Sequence, residues 1–155
     1  MSVDAVAAVL AESPSTTVAI VGPTASGKSA LALELAARVS GEIVSADSVQ
    51  VYRGFDIGSG KPTAEELAQA PHHLVDVCDP LDALDAAQFV ARARAAIADV
   101  RARGRTPIVC GGTFLWVKAL FWGLAEAAPA NEALRAQYRE VADRDGAAAL
   151  HDRLR

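Results

Sequence analysis

The chain has 155 residues, the size of one ordinary domain, with 52% hydrophobic and 22% charged residues. That balance excludes a disordered tract or a collagen-like repeat and leaves enough apolar material for a real core. A net charge of -4 excludes a broad basic coat for nucleic acid, and Cys78 and Cys110, with no CxxC pair, read as reduced thiols rather than a disulfide framework.

Residues 1–16 predict a short helical or frayed lead closed by Ser13, Pro14 and Ser15. Asp4 stands where a signal peptide would carry a basic residue, so no targeting segment is expected. Residues 17–21 (TVAIV) form a continuous apolar run of strand length, the pattern of a buried parallel strand. Residues 28–39 place Leu31, Leu35 and Val39 at helical spacing, and Gly41 follows as a stop. Residues 42–45 predict a second strand, ending at Ala46 and Asp47.

Residues 52–62 carry three glycines and a proline and predict a surface loop. Thr63 and Glu66 make a capping box ahead of a short helix, and residues 73–77 predict a third strand. Asp85 and Gln88 make a second capping box, opening a long helix to about Arg103, with Gly104 after it. Residues 106–110 predict a fourth strand. Gly111, Gly112 and Thr113 then turn into an apolar helix over 114–121. The glycines and Lys118 interrupt this apolar window, so no membrane span is expected. From about residue 126 the chain becomes polar, with breaks at Asn131 and at Asp145 and Gly146, and predicts the beginning of a separate helical segment.

Strands alternating with helices imply an α/β fold, a parallel sheet with helices on both faces. Ligands in such sheets bind beyond the carboxyl ends of the strands. Residues 22–29, 46–50 and 111–113 are the strand tips expected along that edge.

Gly22, Pro23, Thr24, Ala25, Ser26, Gly27, Lys28 and Ser29 fit G-x-x-x-x-G-K-[ST], with an apolar strand before and a helical pattern after. The glycines let backbone N–H groups turn onto an anion, and the new helix aims its unpaired N–H groups there too. Lys28 adds positive charge at the phosphates, and the Ser29 hydroxyl suits Mg²⁺. The motif predicts a phosphate site without saying whether the phosphate is transferred or departs.

Asp47 follows the second strand. It is either a proton acceptor or indirect Mg²⁺ ligand, or the cap of the turn that begins at Ser48. Thr113 is either a helix N-cap or a hydroxyl that positions substrate. Asp76 reads as a strand-end carboxylate more than a metal ligand. Lys61 and Lys118 stand out because Arg supplies most of the positive charge, so a compact ammonium is one reading and codon retention the other. His72 and His73 lack the ligand spacing of a zinc site. Trp116 and Trp122 are expected in core packing.

Taken together, GPTASGKS (22–29), SADSVQVYRGFDIGSGKPT (45–63), PHHLVDVCDP (71–80) and GGT (111–113) resemble the tRNA dimethylallyltransferase (isopentenyl-tRNA transferase) family over about residues 18–125. The resemblance implies a P-loop NTPase-like core over residues 17–125 after the lead of 1–16, with the start of a helical insertion over 126–155. It implies transfer of a dimethylallyl group from dimethylallyl diphosphate to N6 of the adenosine 3′ of the tRNA anticodon. Diphosphate leaves, held by residues 22–29 with Mg²⁺ at Ser29. By the same resemblance Asp47 and Thr113 are catalytic, and tRNA contacts fall on Asp47, Ser48, Val49, Gln50, Thr113 and Arg135. A cytoplasmic enzyme, monomeric at full length and touching no membrane, follows from it. Phe114 and Trp116 depart from the family's G-G-T-G-L-Y, adding bulk beside Thr113. The N-D-R-Q-R-like stretch that grips tRNA is absent from these residues, so the chain is expected to be an N-terminal fragment.

Three other readings share the cradle. A small-molecule P-loop kinase binding ATP would need arginines over the phosphate. Arg53 is one candidate, while Arg101, Arg103 and Arg105 read better as a solvated helix end. An adenylate prenyltransferase would use the same aspartate on a free nucleotide. An inactive diphosphate-binding fragment would use the cradle alone.

Overall fold

The computed structural model describes residues 2–13, 15–124 and 131–153. Four parallel strands, β1 (Val18–Val21), β2 (Gly41–Ser45), β3 (His72–His73) and β4 (Thr106–Gly111), lie in the order β1-β4-β2-β3. Pairing β2 and β4 in register from Gly41 with Thr106 to Ser45 with Cys110 puts the carboxyl ends of β1, β4 and β2 side by side.

Alternation along the strands divides the core into two layers. Ile43, Ile108 and Cys110 face α2 (Lys28–Val39) and Leu10 of α1 (Val3–Glu12). Val44, Ala46 and Val109 face α4 (Ala86–Ala102) and α5 (Phe114–Trp122). Each central strand is thus covered on both sides, which is why these runs are apolar throughout. Phe89 and Trp116 stack at 4.5 Å between ring centroids, joining α4 to α5. Trp122 is 76% exposed, against the expectation of core packing, because its position falls off the buried Trp116, Val117 and Leu120 face.

Both capping boxes form. Thr63 accepts from Glu66 N ahead of α3 (Ala64–Gln69), and Asp85 from Gln88 N ahead of α4, with Glu66 and Gln88 reaching back in return. The N-terminal lead is a helix, α1, tied to α2 by the Asp4–Arg38 ion pair. The third strand is shorter than the sequence suggests. Leu74 (φ 63°) and Asp76 (φ 56°) take left-handed backbone that an extended strand cannot contain, so β3 stops at His73.

The chain divides into two compact units, residues 1–124 and 125–155. The second contains α6 (Glu132–Asp145), capped by Asn131 Oδ1, and α7 (Ala147–Asp152), with Gly146 (φ 84°) between them. Among the described residues no helix is long and apolar enough to cross a membrane.

Glu42, 6% exposed near the start of β2, carries the principal buried charge. It accepts from Arg103 (2.6 Å) and from His73 Nε2 (2.7 Å). Burial pushes its pKa up, but these hydrogen bonds and the nearby charges outweigh burial and hold it below the usual glutamate value. A carboxylate with a lowered folded pKa stabilises above its unfolded pKa, and that contribution fades as pH falls through the folded value. Glu42→Gln should therefore cost about 1–3 kcal/mol near neutral pH and flatten the loss of stability below about pH 4. Urea unfolding across pH reads both effects.

Candidate functional site

The loop from Gly22 to Gly27 joins the end of β1 to the first turn of α2. Ala25 (φ 61°) and Gly27 (φ 81°) are both left-handed, which curls the loop around the helix N-terminus. A side chain at Gly27 would be strained by this backbone alone. Lys28 Nζ donates to Pro23 O at 2.7 Å, so the ammonium folds back over the loop. Thr24, Ala25, Lys28 and Ser29 line one cavity of about 470 Å³.

Asp47 lines the same cavity from the tip of β2. Its Oδ1 accepts from Val49 N (2.9 Å) and Gln50 N (3.2 Å), so one carboxylate oxygen caps the turn that follows. Thr113 occupies the N-cap position of α5 yet makes no side-chain cap bond. Its Oγ1 instead accepts from Ser48 N at 2.9 Å, and its N–H donates to Ala46 O at 3.2 Å. Thr113 therefore ties the β4 tip to the β2 tip, beside the cavity and outside its lining. The sequence left capping and functional roles open for both residues. Asp47 combines a cap with a place in the cavity, and Thr113 spends its hydroxyl on a cross-strand tie.

Cys110 lies in the cavity lining. Burial pushes its thiol up to about 11, with Lys28 lowering it and Asp47 raising it. The thiol stays protonated and unreactive at neutral pH. Both charged groups are felt at this sulfur, which places them around one space.

Val49 and Gln50 also line the cavity, and Ser48 does not. Gln50 is fully engaged within the chain. Its Oε1 accepts from Ser45 Oγ (3.0 Å), and its Nε2 donates to Gly60 O (2.6 Å). That clasp brings residues 58–60 of the glycine-rich loop into the cavity wall, which the sequence showed only as surface loop. His72, held through Nδ1 to Ala70 O at 2.8 Å, lines it as well. Asp76 pairs with Lys61.

Arg101 and Arg103 are not a solvated helix end. Arg101 binds Ser15 O and Thr17 Oγ1, and Arg103 binds Glu42 and Asp99. Thr17 precedes β1 and Glu42 opens β2, so these arginines occupy the edge of the sheet opposite the cradle. Arg53 Nη2 donates to Val77 O. Arg135 lies in α6 of the second unit, paired with Glu132.

The side chains fit Mg²⁺ only in company with a phosphate ligand. Among the described residues no three His, Cys, Asp or Glu side chains converge, while Ser29 and Asp47 share the cavity with the phosphate loop. Mg²⁺ commonly binds this way, through few protein oxygens plus substrate phosphates.

Residues 50–155 match the protein family described as IPP transferase. Over 141 residues the chain is 62% identical to a tRNA dimethylallyltransferase of Sorangium cellulosum, covering 91% of this chain and 45% of that protein. Over 137 residues it is 59% identical to a tRNA dimethylallyltransferase of Anaeromyxobacter dehalogenans, covering 88% and 46%. The full-length tRNA isopentenylpyrophosphate transferase from Bacillus halodurans superposes with a TM-score of 0.70 at 43% identity, over 90% of this chain and 46% of that one. A eukaryotic dimethylallyltransferase acting on tRNA superposes with a TM-score of 0.68 at 31% identity, over 76% and 31%. The chain thus spans about half the length of the curated relatives it matches.

Proposed function

The chain belongs to the IPP transferase family, and from that premise we propose that it transfers the dimethylallyl group of dimethylallyl diphosphate to N6 of the adenosine 3′ of the anticodon in tRNA. The observation that carries this reading is the placement of the Asp47 carboxylate in the same cavity as Lys28 and the phosphate loop.

The step breaks the bond between the allylic carbon and the diphosphate oxygen, and the electron pair leaves with diphosphate. A bond from adenosine N6 to that carbon forms, and the N6 proton passes to Asp47. Lys28 and the N-terminal amides of α2 meet the growing negative charge of the leaving group. When bound, Mg²⁺ adds positive charge there, with Ser29 as its protein ligand. Asp47 keeps one oxygen on the turn, so the carboxylate is held at a fixed angle while it takes the proton. The adenine must leave its stack to reach such a site. Residues 47–50 and Arg135 supply tRNA contacts in this reading, and a tRNA acceptor places the reaction in the cytoplasm.

A kinase reading finds less support, since Arg101 and Arg103 are committed at the far edge of the sheet. The test is incubation with labelled dimethylallyl diphosphate and Mg²⁺, with unmodified tRNA, AMP or ATP in parallel. Label on tRNA is expected. Label on AMP would transfer the reading to a free-nucleotide acceptor, phosphoryl transfer from ATP without prenylation would support the kinase, and binding without turnover would leave a diphosphate-binding fragment. Lys28→Met should weaken diphosphate binding by about tenfold or more, read by calorimetry, because a charge-assisted contact is lost.

A further inference from the structure

The loop between Tyr52 and Thr63 carries no regular structure, yet residues 58–60 form part of the cavity wall. What holds it is a charge cluster outside the cavity. Lys61 Nζ donates to Asp56 Oδ1 at 2.8 Å and to Asp76 Oδ1 at 2.6 Å, with its side chain only 8% exposed. Asp56 lies five residues before Lys61, so this pair closes residues 57–60 into a loop. Asp76 comes from beyond β3, and its N–H donates to Gln50 O at 3.0 Å. The loop is thereby fastened to the same turn that Asp47 caps. The left-handed backbone at Asp76 is an unfavourable geometry that persists only where its surroundings enforce it.

We propose that Lys61 is a positioning residue: its ammonium, bridging Asp56 and Asp76, fixes residues 58–60 as a prebuilt wall of the cavity that takes the diphosphate substrate. This rests on the diphosphate reading of that cavity. Lys61 does not itself line the cavity, so it acts through the wall. The Gln50 contact to Gly60 O is the second fastening. Ser59 shows that the loop is held from outside. Its Oγ is buried with no hydrogen-bond partner among the described residues, a cost that an unfastened surface loop would relieve by turning the hydroxyl to water. Partial burial opposes the charge on Lys61, but the bonds to Asp56 and Asp76 outweigh it and raise its pKa. A wall fixed in advance spares the ligand the entropy of ordering the loop.

The test measures calorimetric affinity for dimethylallyl diphosphate with Mg²⁺. Lys61→Gln should weaken binding about tenfold, while Lys61→Arg, which keeps both ion pairs, should stay within about threefold. Asp76→Asn removes one anchor and should also weaken binding. If Lys61 instead touched the ligand directly, freeing it in Asp76→Asn would tighten binding, and that result overturns the proposal. Unchanged affinity in Lys61→Gln, or equal loss in the Gln and Arg variants, overturns it as well. Amide exchange at residues 57–60 reads the clamp without any ligand. Faster exchange in Lys61→Gln supports the proposal, and unchanged exchange sinks it. A wild-type chain that binds no diphosphate would sink the functional reading separately.

Discussion

Asp47→Asn is expected to slow prenyl transfer by about 10²–10⁴-fold and to leave diphosphate affinity within about twofold. The amide keeps an acceptor oxygen at the position where Asp47 Oδ1 now receives Val49 N and Gln50 N, so the turn and the Gln50 clasp to Gly60 survive. What disappears is the negative charge and the basic oxygen facing the acceptor amine. Asp47→Ala removes the cap too, and the extra loss separates the two roles. That loss should reach the 48–50 turn first, at a cost near 1 kcal/mol. Single-turnover rates and calorimetry on both variants distinguish chemistry from scaffolding. Transfer at an undiminished rate in Asp47→Asn would remove proton acceptance from this residue. A large loss of diphosphate affinity would move it to the metal side.

Gly111→Ala is expected to cost more than about 3 kcal/mol, or to abolish folding. A β-carbon there would sit 2.2 Å from Ala46 O and 2.4 Å from Ala46 C. These are backbone atoms of the adjoining chain, not the end of a side chain that can swing away. Relief would require separating the tips of β2 and β4, where Ala46 N donates to Cys110 O and Thr113 N donates to Ala46 O. The same movement would pull Thr113 from Ser48 and tilt Asp47 out of the cavity. Denaturant unfolding measures the first effect. A variant as stable as the parent would mean that the two tips do not approach this closely.

The contrast between Gly111 and Gly27 shows what was legible beforehand. Gly27 belongs to a motif whose chemistry explains it, and the strand before and the helix after confirm its setting. Gly111 reads in the sequence as one of two glycines in a turn. Its requirement comes from Ala46, distant along the chain, and only the β2–β4 register brings them together. Lys61 is a similar case. Its scarcity among the basic residues flagged it, but neither Asp56 nor Asp76 announced itself as its partner.

Local patterns sufficed where local physics decides. The two capping boxes, the helix that opens at Lys28 and the apolar central strands each depend on a few neighbouring residues, and each forms. The third strand failed where a local pattern meets a tertiary demand. His73 to Val77 is apolar enough to extend, yet Leu74 and Asp76 turn left-handed as Asp76, Val77 and Cys78 donate to Gln50 and Val51. The arginines at the end of α4 looked solvated because their partners, Thr17 and Glu42, are remote in sequence.

The amino-acid sequence by itself determined the phosphate loop, the layered α/β order and the family, because a glycine pattern between an apolar strand and a helix has few other physical solutions. Only the tertiary structure decided which groups share the cavity. It gave Asp47 both a cap and a cavity face, set Thr113 to bind one strand tip to another, and made a wall of residues 58–60. Those assignments depend on contacts between segments far apart in the chain, and no local periodicity encodes them.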